Sequence, residues 1–123
     1  MGYNSFEELD VWKRACSLAV GIYENLRNCR DYGLKDQMTR SVVSIASNIA
    51  EGAERNSRTE YIRFLHIAKG SAAELRTQVY IAQQIGIYHN TQATELVNEL
   101  KEISSMLQTL IKSLIPRSQL LKT

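Results

Sequence analysis

His66 and His89 are the two imidazoles this chain could offer to a metal or a proton, and neither has the neighbours that such work requires. A dinuclear metal centre inside a helical bundle needs Glu-x-x-His pairs pointing inward. Here Arg63 stands three residues before His66, and Gly86 three before His89. His66 therefore reads as a partly exposed or interface histidine and His89 as a surface turn residue. Cys16 and Cys29 sit thirteen residues apart on one predicted helix. At ~1.5 Å per residue that separates them by about 20 Å, too far for an intrachain disulfide. Both are expected as free, buried thiols, with no histidine near in sequence to activate them. The glycines are isolated, and none opens a strand-to-helix phosphate loop. Glu51 and Glu74, each among small residues, are expected to pair across helices with Arg40, Arg55 or Arg76. No catalytic residue, metal site or cofactor is expected, and the chain reads as a non-enzyme.

Positive charge is the chemistry that remains. Arg55, Arg58, Arg63 and Lys69 are densely spaced, with Arg40 and Arg76 on either side in sequence. On a single chain, where acidic residues lie within a turn or two of most basic ones, such a set is a solvated helical surface. Arranged around an axis by several copies, the same six residues become a candidate nucleic-acid-binding ring. Contacts of that kind bind phosphates without reading base sequence and weaken steeply with salt. The formal charge is only +2, so one chain alone attracts polyanions weakly.

These residues must be held by helices. With 44% apolar and 23% charged residues and a single proline, the 123-residue chain has the balance of one globular domain. The acidic, polar start MGYNSFEELD is unlike an export signal, and no apolar run could span a bilayer; a cytoplasmic location without membrane association is expected. Ser5 to Glu8 and Ser57 to Glu60 each have capping-box form, starting helices near Phe6 and Arg58. Gly33 and Gly86 are read as helix terminators. The first helix repeats Leu9, Trp12, Cys16, Ala19, Tyr23 and Leu26, with Phe6, Ala15 and Ile22 widening the stripe. The second buries Leu34, Met38, Val42, Ile45 and Ile49; the third Tyr61, Leu65, Ala68, Ala72, Leu75, Val79 and Ala82; the fourth Leu96, Leu100, Ile103, Leu107, Leu110 and Leu114. No segment alternates with period two. The spacing predicts an all-α, antiparallel up-down-up-down four-helix bundle, with helices at about 6–29, 34–54, 58–85 and 91–115 and a frayed tail over 116–123.

Along the second helix Gln37, Ser41, Ser44, Asn48, Glu51 and Arg55 share one side. Either this side is solvated, or it packs against another helix or chain, because serine and asparagine are weak choices for an exposed helix interior. The packing reading makes Ser41, Ser44, Asn48 and Glu51, with Ile62 and His66 from the third helix, a candidate subunit interface. Gly70, amid Gly70-Ser71-Ala72-Ala73, is expected to mark a close backbone approach.

The chain resembles the bacterial 23S rRNA intervening-sequence proteins. The resemblance rests on Phe6-Glu7-Glu8-Leu9-Asp10-Val11-Trp12 with Ala15, on Tyr32-Gly33-Leu34 with Gln37-Met38 and Arg40, and on Ser44-Ile45-Ala46-Ser47-Asn48-Ile49-Ala50-Glu51-Gly52. It continues through Arg55, Ser57, Phe64-Leu65, Ile67-Ala68, Gly70-Ser71, Glu74-Leu75, Met106-Leu107 and Leu110-Ile111. A proline common in that family after the first helix is absent here, and Cys29 stands near its place. The resemblance implies an antiparallel bundle assembling into a barrel-like homopentamer, which would carry 5 × 2 = +10. It also implies two non-enzymatic roles: an RNA- or DNA-binding accessory protein, or a scaffold subunit holding a protein partner. A distant relative serves as accessory subunit to a retroelement reverse transcriptase, binding both nucleic acid and the enzyme.

Overall fold

The structure, a computed structural model, describes residues 5–116 and Ser118. A 3-10 turn at Phe6–Glu8 precedes four helices: α1 (Asp10–Asn25), α2 (Tyr32–Ala53), α3 (Arg58–Gln84) and α4 (Asn90–Leu114). The expected fraying of the tail falls largely on residues outside those described.

The helix ends correct several sequence expectations. Ser5 makes no side-chain cap bond, so the first capping box is not formed and α1 starts at Asp10 instead of near Phe6. Gly33 does not terminate α1. It lies in the first turn of α2, where Asp31 is the cap and its Oδ1 accepts from the Leu34 amide at 3.1 Å. The end of α1 is closed by the Leu26 amide donating to the Ile22 carbonyl at 3.0 Å, without a left-handed residue. Ser57 does cap α3, accepting from the Glu60 amide at 3.1 Å, but the Glu60 carboxylate turns outward to Arg63 instead of closing the box. Gly86 behaves as expected. At φ 85° it donates to the Gln83 carbonyl while the Ile87 amide donates to Ala82, which satisfies the last carbonyls of α3. Tyr88 is thereby swung into the core, at 2% exposure.

All seven stripe residues expected on α3 are buried, as are Met38, Val42, Ile45 and Ile49 of α2; Leu34 is half-buried. On α1 the buried line is Val11, Ala15, Leu18, Ile22 and Leu26. Trp12, Cys16 and Ala19 flank it half-buried, and Tyr23 faces outward at 51% exposure. Both lines have helical spacing, and Ala15 and Ile22, fully enclosed, centre the true one. A similar one-place shift puts Val97 and Ile111 of α4 inside, with Leu96 and Leu110 only half-buried. Each fully buried Ile or Leu contributes about 1.5–3 kcal/mol of transfer free energy.

Among the described residues, helices touch only their neighbours in the order α1–α2–α3–α4–α1, with no diagonal pair; α2–α3 is the longest seam and α1–α4 the shortest. Ser44 meets Ser71 and Gly52 meets Phe64, so α2 and α3 run antiparallel. The neighbour order agrees with the up-down-up-down connection expected of short loops.

Candidate nucleic-acid and subunit interface

The α2–α3 corner gathers three of the six predicted cationic residues. Gly52, buried in the last turn of α2, has no side chain to hold α3 away; a Cβ there would lie 2.7 Å from Phe64 Cβ. Phe64 therefore stands against the end of α2, only 7% exposed. The Arg55 guanidinium lies 4.8 Å from its ring centroid and that of Arg63 4.5 Å. Contacts of this kind contribute about 0.5–1 kcal/mol at exposed sites and restrict two otherwise mobile side chains. Each arginine also has a carboxylate: Arg55 reaches Glu51 at 3.5 Å and Arg63 reaches Glu60 at 3.1 Å. The Arg63 hydrogen bond holds the Glu60 carboxyl below its usual range and pushes the guanidinium up. Arg58 is exposed at the first position of α3.

The other three cations stand apart. Arg40 is exposed on α2 and bound to Asp36 at 2.9 Å, thirteen residues and about 20 Å of helix before the end of α2 at Ala53. Lys69 turns towards α4, its Nζ donating to Gln108 Oε1 at 2.5 Å. Arg76 is half-buried two turns further along α3. On one chain the six make a corner cluster and three separate positions, not a continuous strip.

The polar side of α2 is taken up largely inside the chain. Ser41 is 4% exposed, and Ser44 shares a 2.9 Å hydroxyl hydrogen bond with Ser71. Asn48 Nδ2 donates to the Ser44 carbonyl and hydroxyl at 2.8 and 2.9 Å. Small hydroxyls meeting across a narrow seam explain their choice: each satisfies the other where a longer side chain would wedge the helices apart. Ile62 is half-buried against the core, whereas His66 and Glu51 are exposed. The close approach expected at Gly70 occurs at Gly52 instead; a Cβ on Gly70 would meet nothing within 4 Å. The cross-helix bridges expected of Glu51 and Glu74 are replaced by a local Glu51–Arg55 pair, while α1 and α4 are bridged by Arg14 and Glu99 at 2.6 and 2.9 Å.

Two features escaped the sequence reading. Phe64 was seen as a family residue and not as an arginine platform, although its place beside Arg63 was a usable signal. On the outer side of α3, Ile67, Ile81 and Ile85 are exposed at 40%, 48% and 56%. With Gly70, Glu74 and Thr77 they form a second line at three- and four-residue spacing, masked by the stronger buried one. Among the described residues no group of three potential metal ligands converges, and no helix is long and apolar enough to cross a membrane. Both cysteines are free and half-buried, and burial pushes the Cys16 thiol up, away from the reactive thiolate.

Comparison with known proteins agrees with this architecture. A crystal structure of a protein with unknown function from the S23 ribosomal protein family of Bacteroides thetaiotaomicron superimposes with a TM-score of 0.78 at 27% identity, covering 83% of this chain and 98% of that one. No curated protein matches. The model of the 23S rRNA-intervening sequence protein family matches residues 7–109, most of the bundle including α2, the arginine corner and α3. Helix order, the α2–α3 seam and that match together place the chain in the 23S rRNA-intervening sequence protein family.

Proposed function

We propose that the protein is a non-enzymatic, nucleic-acid-associated accessory protein of the cytoplasm, working as a homo-oligomer, with the pentamer implied by the resemblance as its form. The observation that carries this reading is the Arg55–Phe64–Arg63 stack, with Arg58 exposed at the first position of α3. Two guanidiniums held against one ring spend little further side-chain entropy in meeting a phosphate, and phosphate oxygens can displace Glu51 and Glu60 from their outer edges. Assembly repeats the corner around an axis and multiplies a modest charge. The test is retention of a short RNA or DNA duplex over a salt series. The parent protein should lose affinity between low and moderate salt, and Arg55→Gln, Arg58→Gln and Arg63→Gln together should flatten that slope. Absence of binding even at low salt removes the reading.

The second reading, a protein-interaction scaffold without nucleic acid, is favoured by the exposed Ile67, Ile81 and Ile85 on α3. It predicts that Ile81→Lys with Ile85→Lys abolishes partner capture, while the arginine variants leave it intact.

A further inference from the structure

The helices touch in the order α1–α2–α3–α4–α1, so the shortest seam, α1–α4, lies across the bundle from α2–α3 and its arginine corner. This seam leaves an open groove of roughly 470 Å³ between the start of α1 and the last turns of α4. Leu9, Met106 and Leu110, all half-buried, form its apolar floor, and Asp10 and Glu102 stand at its edge. Its charge is opposite in sign to that of the corner. Glu99, Glu102 and Asp10 all act on Arg14, whose guanidinium is committed to Glu99 through two hydrogen bonds. Among the described residues no cation forms an ion pair with Asp10 or Glu102. A chain of net charge +2 thus has one acidic seam with apolar surface open at its base.

We propose that this groove is the docking site for a basic amphipathic helix of a protein partner, with aliphatic side chains on one side and lysine or arginine beside them. Each part of the groove selects that chemistry. The floor takes aliphatic side chains, and Met106, unbranched and polarisable, adapts to their shape. The carboxylates at the edge attract lysine and arginine and repel phosphate, which turns nucleic acid and anionic lipid away from this face. An open cleft between two helices admits a third through anchors at three- and four-residue spacing. From Glu102 to Ser113 the α4 wall runs about 16 Å, the length of three turns of such a helix. The two faces then serve different partners: a polyanion at the arginine corner, and a cationic protein segment on the far side of the bundle.

Methionine-methyl NMR on the full chain, titrated with a synthetic helical peptide made only of leucine and lysine with its leucines along one face, tests this. The three methionines are Met1, Met38 and Met106, of which Met38 is fully enclosed in the core and Met106 lines the groove. The peptide should move the Met106 methyl resonance while Met38 stays in place, which controls for an intact fold. Asp10→Lys with Glu102→Lys should weaken its binding roughly tenfold or more. Glu24→Lys with Glu54→Lys, exposed residues outside the groove, makes the same change in net charge and should leave binding as it was. A counterpart peptide with serine for every leucine should not move Met106. The proposal is overturned if the leucine peptide leaves Met106 in place, if the serine peptide moves it, or if the protein reversed at Asp10 and Glu102 binds as tightly as the parent. A Met106 resonance that shifts on dilution of the protein alone gives the groove to a second copy and also overturns it. Arg55→Gln, Arg58→Gln and Arg63→Gln together should leave the peptide response unchanged, so the groove and the arginine corner stand or fall separately.

Discussion

Gly52 and Gly70 are both helical glycines, and the structure gives substitution by alanine opposite signs at the two positions. At Gly52 the new Cβ would stand 2.7 Å from Phe64 Cβ and 3.2 Å from both Tyr61 Cδ1 and the Tyr61 carbonyl oxygen. Two of those three atoms belong to or directly adjoin the α3 backbone, so no side-chain rotation relieves the contact and the helices must part. Overpacking of this kind costs about 3 kcal/mol at the upper end of its usual range. Alanine returns about 1 kcal/mol of helix propensity, leaving a net loss of about 2 kcal/mol. For a domain of this size each kcal/mol moves the midpoint by roughly 3–5 °C, so Gly52→Ala should melt about 6–10 °C below the parent. At Gly70 nothing lies within 4 Å of the added Cβ, and only the propensity gain remains, about 0.5–1 kcal/mol and roughly 2–4 °C upward. Thermal melts followed by far-ultraviolet circular dichroism, with urea midpoints at the same protein concentration, measure both. A Gly52→Ala protein as stable as the parent would refute the α2–α3 geometry argued here, and with it the seating of Phe64 between its two arginines. A Gly70→Ala protein that loses stability without losing molecular mass would refute the open surroundings assigned to that position.

The remaining predictions concern polar groups. Ser71→Ala should cost about 1 kcal/mol because it removes one of the two hydrogen bonds of the Ser44 hydroxyl and leaves that from Asn48; Ser44→Ala with Ser71→Ala should cost less than the two single changes added, as read from a double-mutant cycle of urea midpoints. Tyr88 has its hydroxyl pushed up to about 12, first by burial and then by the nearby Cys29. A folded value above the unfolded one means that stability is whole below the unfolded tyrosine range, near 10, and is lost as pH rises through 10 to 12, by up to about 2–3 kcal/mol. Tyr88→Phe should therefore flatten the alkaline fall of the urea midpoint between pH 10 and 12, and a parallel fall in both proteins would contradict the assignment. Light scattering at micromolar concentration should give several times the mass of one chain, with His66→Lys in the candidate subunit interface reducing it; a parent that runs as a monomer would dispose of the ring.

Element type was legible because the apolar pattern repeats without interruption for four helices, and the α3 stripe was read residue for residue. Boundaries were less so, for identifiable reasons. Ser5-Phe6-Glu7-Glu8 has the composition of a capping box, yet capping depends on the Ser5 side chain meeting a free amide, which no composition reveals. Gly33 resembled a terminator, but Asp31 two places earlier outcompetes it by starting the next helix. On α1, two lines of apolar residues share helical spacing, and only the positions of α2 and α4 decide that Val11 and Leu18 go inside while Tyr23 stays out. Gly52 and Gly70 could not be ranked without knowing where α3 crosses. The same holds for the functional residues: Arg55, Arg58 and Arg63 were visible as a run of charge, but that Phe64 collects two of them is a property of the turn.

Those ion pairs also bear on why assembly matters to the proposed role. On one chain Arg40, Arg55 and Arg63 each hold a carboxylate at 2.9 to 3.5 Å, so half of the six predicted cations are already locally neutralised. Exposed pairs of this sort are worth at most about 1 kcal/mol each, which a phosphate offering a charge-assisted contact can exceed. Exchange at a single corner releases few counterions and gives little net affinity. Repeated around an axis, the same exchange occurs several times on one polyanion, and the effective concentration of the second and later corners multiplies the gain. Nucleic-acid affinity should therefore collapse when assembly is broken, even with every arginine in place. The His66→Lys protein, altered at the exposed part of the candidate subunit interface, decides the matter: if it has become a monomer and still binds duplex as tightly as the parent, despite adding only one positive charge, the corner acts alone and the argument from assembly is wrong.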